Sequence, residues 1–106
     1  AWIEDEHGVC QWFNDQWVGF IGRDMAQDLG EGWLDHVHPD DRERCRELSR
    51  AASAARGPFE ARYRLRRHDG VYRHVLDRGV PRWDEAGDFV GYVGAVIDVT
   101  HIEDQQ

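Results

Sequence analysis

The stretch from Pro58 to Thr100 constrains this chain most, because its punctuation leaves room for little besides three antiparallel strands in succession. From Phe59 to Arg67 the pattern alternates strictly. Phe59, Ala61, Tyr63 and Leu65 fall on one face and Glu60, Arg62, Arg64 and Arg66 on the other, as a half-buried strand requires. Asp69-Gly70 is a dipeptide suited to the positive φ angles of a hairpin turn, so Val71 to Trp83 should return alongside the first strand. Pro81 lacks an N–H and predicts fraying near the end of that strand. Asp84-Glu85-Ala86-Gly87 is a polar turn, and Phe89 to Thr100, dense in β-branched and aromatic residues, makes a third strand.

Such a sheet must bury one face, and the upstream half reads as what buries it. Trp2 to Glu4 and Val9 to Phe13 form a hairpin about His7-Gly8. Asn14 is a good helix N-cap with Asp15 in the first turn, and the short helix through Trp17 and Phe20 should end near Gly22. Arg23 to Leu29 makes one more helical turn closed by Gly30, and Gly32-Trp33-Leu34 begins another. His38-Pro39-Asp40-Asp41 opens the one long helix, which runs to Arg56. Its buried stripe is expected to be Cys45, Leu48, Ala52 and Ala55, with Glu43/Arg46 and Glu47/Arg50 as exposed pairs, Gly57 as C-terminal cap and Pro58 as stop. The expected fold is α+β: a five-stranded antiparallel sheet with short helices and one long helix on one face.

At 106 residues and 41% hydrophobic content the chain supports one core and one domain. A net charge of −8 argues against nucleic acid, or direct contact with an anionic membrane, as the main partner. Cys10 and Cys45 lack metal or redox spacing and read as free thiols of a reducing cytoplasm. The absence of any long apolar run or leader points the same way, to a cytoplasmic domain whose parent could still be membrane-anchored. The abrupt termini suggest a domain excised from a longer parent.

Several stretches, taken together in order and spacing, resemble a PAS domain with its C-terminal PAC motif. They are Trp12-Phe13-Asn14-Asp15, Gly32-Trp33, Val37-His38-Pro39-Asp40-Asp41-Arg42, Pro58-Phe59-Glu60, Tyr63-Arg64-Leu65-Arg66-Arg67, Asp69-Gly70, Leu76-Asp77-Arg78-Gly79, Gly91-Tyr92 and Asp98-Val99-Thr100. The resemblance covers nearly all of Trp2 to Thr100. It implies a non-catalytic sensory module, spanning residues 1–100, that binds a small ligand or a partner and relays a change to an attached output domain, commonly a histidine kinase or a diguanylate cyclase. In that family the Asp-x-Thr after the last strand couples the sheet to a following helix. Asp98 and Thr100 fill those places, and His101 to Gln106 would begin the helix. Helix capping alone is the plainer reading of the same two residues.

The first hairpin leaves its register open. A two-residue Asp69-Gly70 turn places Leu65 opposite His74, and a three-residue bulged loop places it opposite Val75. The resemblance favours Tyr63, Leu65 and Val75 facing the helices together with Tyr92, Gly94 and Val96. Gly94 would then leave room beside Trp33, Val37 and Leu48 for a small ligand pocket. The opposite face would carry His74, Leu76, Val93, Ala95 and Ile97, too apolar to remain in water, so a homodimer or a docked linker helix is expected there. Filling by Trp12, Trp33, Tyr63 and Tyr92 would leave no pocket and favour a ligand-free dimerisation module instead.

No cofactor is expected. A haem sensor of this family places its axial His on or beside the long helix, where only His36 and His38 lie close, and nothing matches the Asn-Cys-Arg run of the flavin photosensors. The run Asp35 to Asp41 gathers two His and three carboxylates, but His residues two apart rarely converge and the carboxylates suit a helix start, so no metal site is read there. No catalytic residue is assigned. An acid/base enzyme would have to use Glu4, His74 or Asp77 with a strongly shifted carboxyl in a deep cavity.

Overall fold

The computed structural model describes residues 1–103, apart from the side chain of Glu103. In chain order the elements are β1 (Trp2–Glu4), β2 (Cys10–Phe13), α1 (Asp15–Ile21), α2 (Met25–Asp28), a 3₁₀ helix (Gly32–His36), α3 (Pro39–Ala55), β3 (Phe59–Arg66), β4 (Tyr72–Trp83), β5 (Phe89–Asp98) and α4 (Thr100–Glu103). The strands form one antiparallel sheet in the order β2-β1-β5-β4-β3, so the N-terminal hairpin docks through β1 onto the last strand. This is the α+β architecture expected of the pattern. Of the anticipated C-terminal helix, residues 104–106 lie outside the described residues.

Local chemistry explains the boundaries. Asn14 Oδ1 accepts the Trp17 N–H at 3.2 Å and starts α1, and Gly22 ends it in the left-handed region at φ 83°. His38 Nδ1 caps α3 by accepting the Asp40 N–H at 3.1 Å, ahead of Pro39. Asp41 ties this helix start to β3, accepting the Arg64 N–H at 2.9 Å and both sides of its guanidinium fork. At the far end the left-handed residue is Arg56 (φ 52°), not Gly57 as expected. A side chain in this conformation costs about 1–2 kcal/mol, and the Arg56 guanidinium offsets part of that by stacking 3.8 Å over the Phe89 ring.

The stripe that α3 buries keeps Cys45 and Ala52 of the expected set but not Leu48 and Ala55. Asp41, Cys45, Ser49 and Ala52 face inward, whereas Leu48 and Ala55 are exposed. Hydrophobicity favoured Leu48, but the helix is oriented by the Asp41–Arg64 attachment at its first turn. β4 continues to Trp83 without fraying at Pro81. Its pairing with β3 ends at Phe59↔Gly79, so Pro81 has a partner strand on one side only and its missing N–H costs no ladder bond.

Neither anticipated hairpin register is adopted. Leu65 pairs with Arg73 and Tyr63 with Val75. The loop has three residues, His68-Asp69-Gly70: Arg67 donates to the Val71 carbonyl at 2.8 Å, Gly70 donates to that of Arg67 at 2.9 Å, and Gly70 takes φ 87°. The side toward the helices carries Tyr63, Leu65, Val75, Tyr92, Gly94 and Val96 together with Asp77 and Gly79, as the pairings Tyr63↔Val75, Asp77↔Val96 and Gly79↔Gly94 require.

Candidate functional site

The interior is built around Trp2. Its indole lies against Gly79 and Gly94, which face each other across β4 and β5. A Cβ at Gly79 would stand 2.5 Å from the ring, and one at Gly94 would overlap both the ring and the Arg78 carbonyl oxygen. The space expected beside Trp33, Val37 and Leu48 is therefore occupied by Trp2. Trp12, expected among the filling residues, sits instead on the outer face.

Beneath Trp2 lies Asp77, 4% exposed, whose carboxylate accepts the Trp2 Nε1–H at 2.7 Å and the Tyr63 hydroxyl at 2.8 Å. Burial outweighs these two bonds and pushes its pKa up to about 6. Glu4, across the same space, is pushed up to about 7 by burial first and then by the charges of Asp77 and Asp5. Tyr63 is raised well above its ordinary value by burial and by Asp77, and so stays a hydrogen-bond donor. Between these groups and the rings of Trp2, Phe13, Trp17, Trp33, Phe59 and Tyr63 is a cavity of about 20 Å³, room for one water-sized body. An open groove of about 650 Å³ runs between α3 and the first hairpin, and Glu4, Trp33 and Ser49 line both spaces.

The residues assigned to a pocket do not form one continuous lining. Trp33, Tyr63 and Val96 border the small cavity, while Leu65, Val75 and Val96 border a separate depression of about 140 Å³ beside α1. Val37 is sealed in the core, bridged to Leu65. Tyr92 is buried, with its hydroxyl 2.9 Å from the Ala52 carbonyl and 2.5 Å from that of Gly57. Leu48 points to solvent. Asp77, Glu4 and Trp2 were missed as lining residues. The alternation of β4 already put Asp77 on the same side as Val75, so that one signal was available.

The cavity does not fit a haem or a flavin. His36 is buried with Nε2 2.9 Å from Asp28, and His38 is the α3 cap. Cys45 is pushed up to about 11 and Cys10 to about 12, each chiefly by burial, so neither presents a thiolate. Among the described residues no group of three or more His, Cys, Asp and Glu side chains could hold a metal. Glu4 and Asp77 show the raised carboxyls that acid/base chemistry would need. His74, however, lies on the opposite face of the sheet, and the cavity of about 20 Å³ beside Asp77 has room only for a water-sized group.

At the sheet's exit, Asp98 Oδ1 accepts the Thr100 N–H at 3.0 Å and Oδ2 accepts Arg73 Nε at 2.8 Å. Burial opposes ionisation of Asp98, but the bonds from Arg73 and Thr100 outweigh it and hold the carboxyl below its ordinary range. Thr100 Oγ1 in turn accepts the His74 N–H at 2.7 Å. The start of α4 is thereby fastened to β4.

On the outer face, Val93, Ala95 and Ile97 are exposed, as is His74, while Leu76 is buried. The register adds three residues that the pattern did not reveal: Trp12, Ile3, Val93 and Val80 form one cross-strand row over four strands. Trp12, Val80 and Ile97 are 41%, 54% and 53% exposed, so this face of the sheet carries apolar side chains that the described residues leave in solvent.

The PAS fold family model matches residues 12–96. An uncharacterized protein of Sinorhizobium fredii is 36% identical over 93% of the chain, and a peroxide stress-activated histidine kinase of Schizosaccharomyces pombe is 28% identical over 87%. The chain spans only 12% and 6% of the lengths of these relatives. Among solved structures, the N-terminal domain of a diguanylate cyclase with PAS/PAC sensor from Marinobacter aquaeolei superposes with a TM-score of 0.82 at 21% identity, covering 96% of this chain and 95% of that one. A sensory box histidine kinase/response regulator from Burkholderia thailandensis is 32% identical with a TM-score of 0.57, covering 67% of this chain and 54% of that one. With its strand order, its long helix across the sheet and its Asp98-Val99-Thr100 exit all in place, the chain belongs to the PAS family of signal-sensing, non-catalytic modules.

Proposed function

We propose that this domain, residues 1–100, regulates an attached output domain, a histidine kinase or a diguanylate cyclase, by passing a change in its core through β4 and β5 into the helix that begins at Thr100. The observation that carries this reading is the Asp98–Thr100–His74 fastening, because it makes the direction of α4 depend on the backbone of the strand that also bears Asp77. Kinases and a cyclase among the relatives support the nature of the output. A ligand acts here by binding one of two arrangements more tightly than the other. The free thiols of Cys10 and Cys45 favour a cytoplasmic place for the domain, whether or not its parent is membrane-anchored. Substituting Asp98→Ala in the full-length parent should leave the fold intact, costing about 1 kcal/mol as a lost cap does, while uncoupling output from stimulus. Unchanged output and response in that variant would refute the relay.

The outer face supports a second copy of the domain as partner, packed through the row Trp12, Ile3, Val93 and Val80 with Ile97 beside it. Ile97→Glu puts a charge into that contact at a position 53% exposed, so the monomer should fold normally. Sedimentation equilibrium is expected to show the dimer weakened roughly thirtyfold or more, the effect of losing a central apolar contact. A wild-type monomer at high concentration would remove the dimer from the mechanism. The tightness of the cavity favours one other reading, a ligand-free module in which dimerisation is the whole function.

A further inference from the structure

Three aspartates are buried among the described residues, and they are not equivalent. Asp28 has Arg23 at 2.6 Å and His36 at 2.9 Å. Asp41 has the Arg64 fork, with Arg44 at 3.5 Å. Asp77 has only neutral donors, the Trp2 indole and the Tyr63 hydroxyl. Buried carboxylates ordinarily have a cation. Here the cation's place is a water-sized cavity walled by aromatic rings, with Glu4, a second carboxylate that makes no hydrogen bond of its own among the described residues, on the side toward the open groove.

We propose that this cavity receives the ammonium group of a small primary amine, entering past Glu4 and Trp33, with the amine's aliphatic stem lying in the groove against α3. An ammonium ion is the size of the water the cavity admits and carries three donors, which Asp77 and Glu4 accept, while the indole faces attract its charge. A quaternary ammonium is too large and has no N–H to donate. The inference rests on the domain acting as a ligand-binding sensor and names the class of ligand.

The test is titration of the isolated domain, the chain described here, with n-butylammonium chloride at about pH 8, where both carboxyls are ionised. Binding is followed by calorimetry and by the emission of Trp2, Trp17 and Trp33, with tetramethylammonium chloride and sodium chloride as controls. Butylammonium should bind saturably and shift the emission, and the controls should do neither. Asp77→Asn keeps the shape of the side chain and can still bond Trp2 and Tyr63, and it should weaken binding roughly thirtyfold or more. Glu4→Gln should weaken it less. Butylammonium behaving like sodium, or binding undiminished by Asp77→Asn with the variant's near-ultraviolet dichroism unchanged, would overturn the proposal. Binding that survives Asp98→Ala while output does not would separate ligand recognition from the relay, so failure of either reading is seen independently.

Discussion

Asp28→Ala should remove about 3–5 kcal/mol of folding stability, the range for breaking a buried ion pair from one side. For a domain of this size that is a large share of a total of about 5–15 kcal/mol. Asp28 has no exposed surface and holds three elements together: Oδ2 accepts Trp17 Nε1–H from α1 at 3.1 Å, and Oδ1 accepts Arg23 Nε at 2.6 Å and meets His36 of the 3₁₀ helix at 2.9 Å. Arg23 also donates to the carbonyls of Gln27 and Gly32, so its guanidinium clamps the loop that leads to Trp33. Alanine would strand the Trp17 indole N–H and the His36 ring without partners while leaving Arg23 half-covered. Urea unfolding should show a lower midpoint at an unchanged slope, since the surface exposed on unfolding is the same. Arg23→Ala, which leaves the buried carboxylate with only His36 and the Trp17 indole, should be comparably damaging. The double variant should cost clearly less than the sum, because each single change already removes the pair. Additive losses would mean the pair is not a unit.

Asp28 also shows where reading the residues in order stops. Periodicity located every strand, the start of α3 at His38-Pro39 and the Gly22 stop, because those features depend on the spacing of apolar residues and on backbone restrictions that travel with the residue itself. Burial of a polar side chain depends on partners distant in sequence. Asp77 meets Trp2 across 75 positions, and nothing local to either residue announces the bond. The same limit explains Leu48: its hydrophobicity was visible, but the rotation of α3 is set by Asp41 reaching Arg64 in β3. It also explains the row Trp12, Ile3, Val93 and Val80, which exists only once β1 is placed against β5. The hairpin shows a different limit. Asp69-Gly70 marked the turn, but a loop beginning at His68 rather than Asp69 brings Leu65 opposite Arg73, and the dipeptide does not distinguish the two.

Asp77→Asn is expected to stabilise the domain at neutral pH, by about 3 kcal/mol, an unusual outcome for a substitution deep in a core. The Asp77 carboxyl stands near 6 in the folded chain against 3.8 for the free group, and a rise of that size corresponds to about 3 kcal/mol. Between those two values the folded state binds more protons than the unfolded one, so stability falls as pH rises from about 4 to about 6 and then levels for this group. Glu4, raised to about 7 from 4.5, extends the decline toward neutrality. Asp41 has the opposite sign in a lower window. Lowered to about 2 by its hydrogen bonds from Arg64, it contributes stability above its unfolded value of 3.8 that is lost as pH falls through 2. The wild-type domain should therefore be most stable at mildly acid pH and weaker at pH 7.5. In Asp77→Asn the amide oxygen can still accept from Trp2 Nε1 and the amide can donate to the Tyr63 hydroxyl oxygen, so the core loses a charge and keeps its bonds. Urea midpoints measured from about pH 4 to 7.5 should fall in the wild type and fall clearly less in the variant, where the part due to Glu4 remains. A wild-type profile that rises over this interval would mean that Asp77 stays ionised with a counter-charge already in place. In that case an ammonium ligand would have no uncompensated carboxylate to neutralise, and the cavity's charge would serve the fold alone.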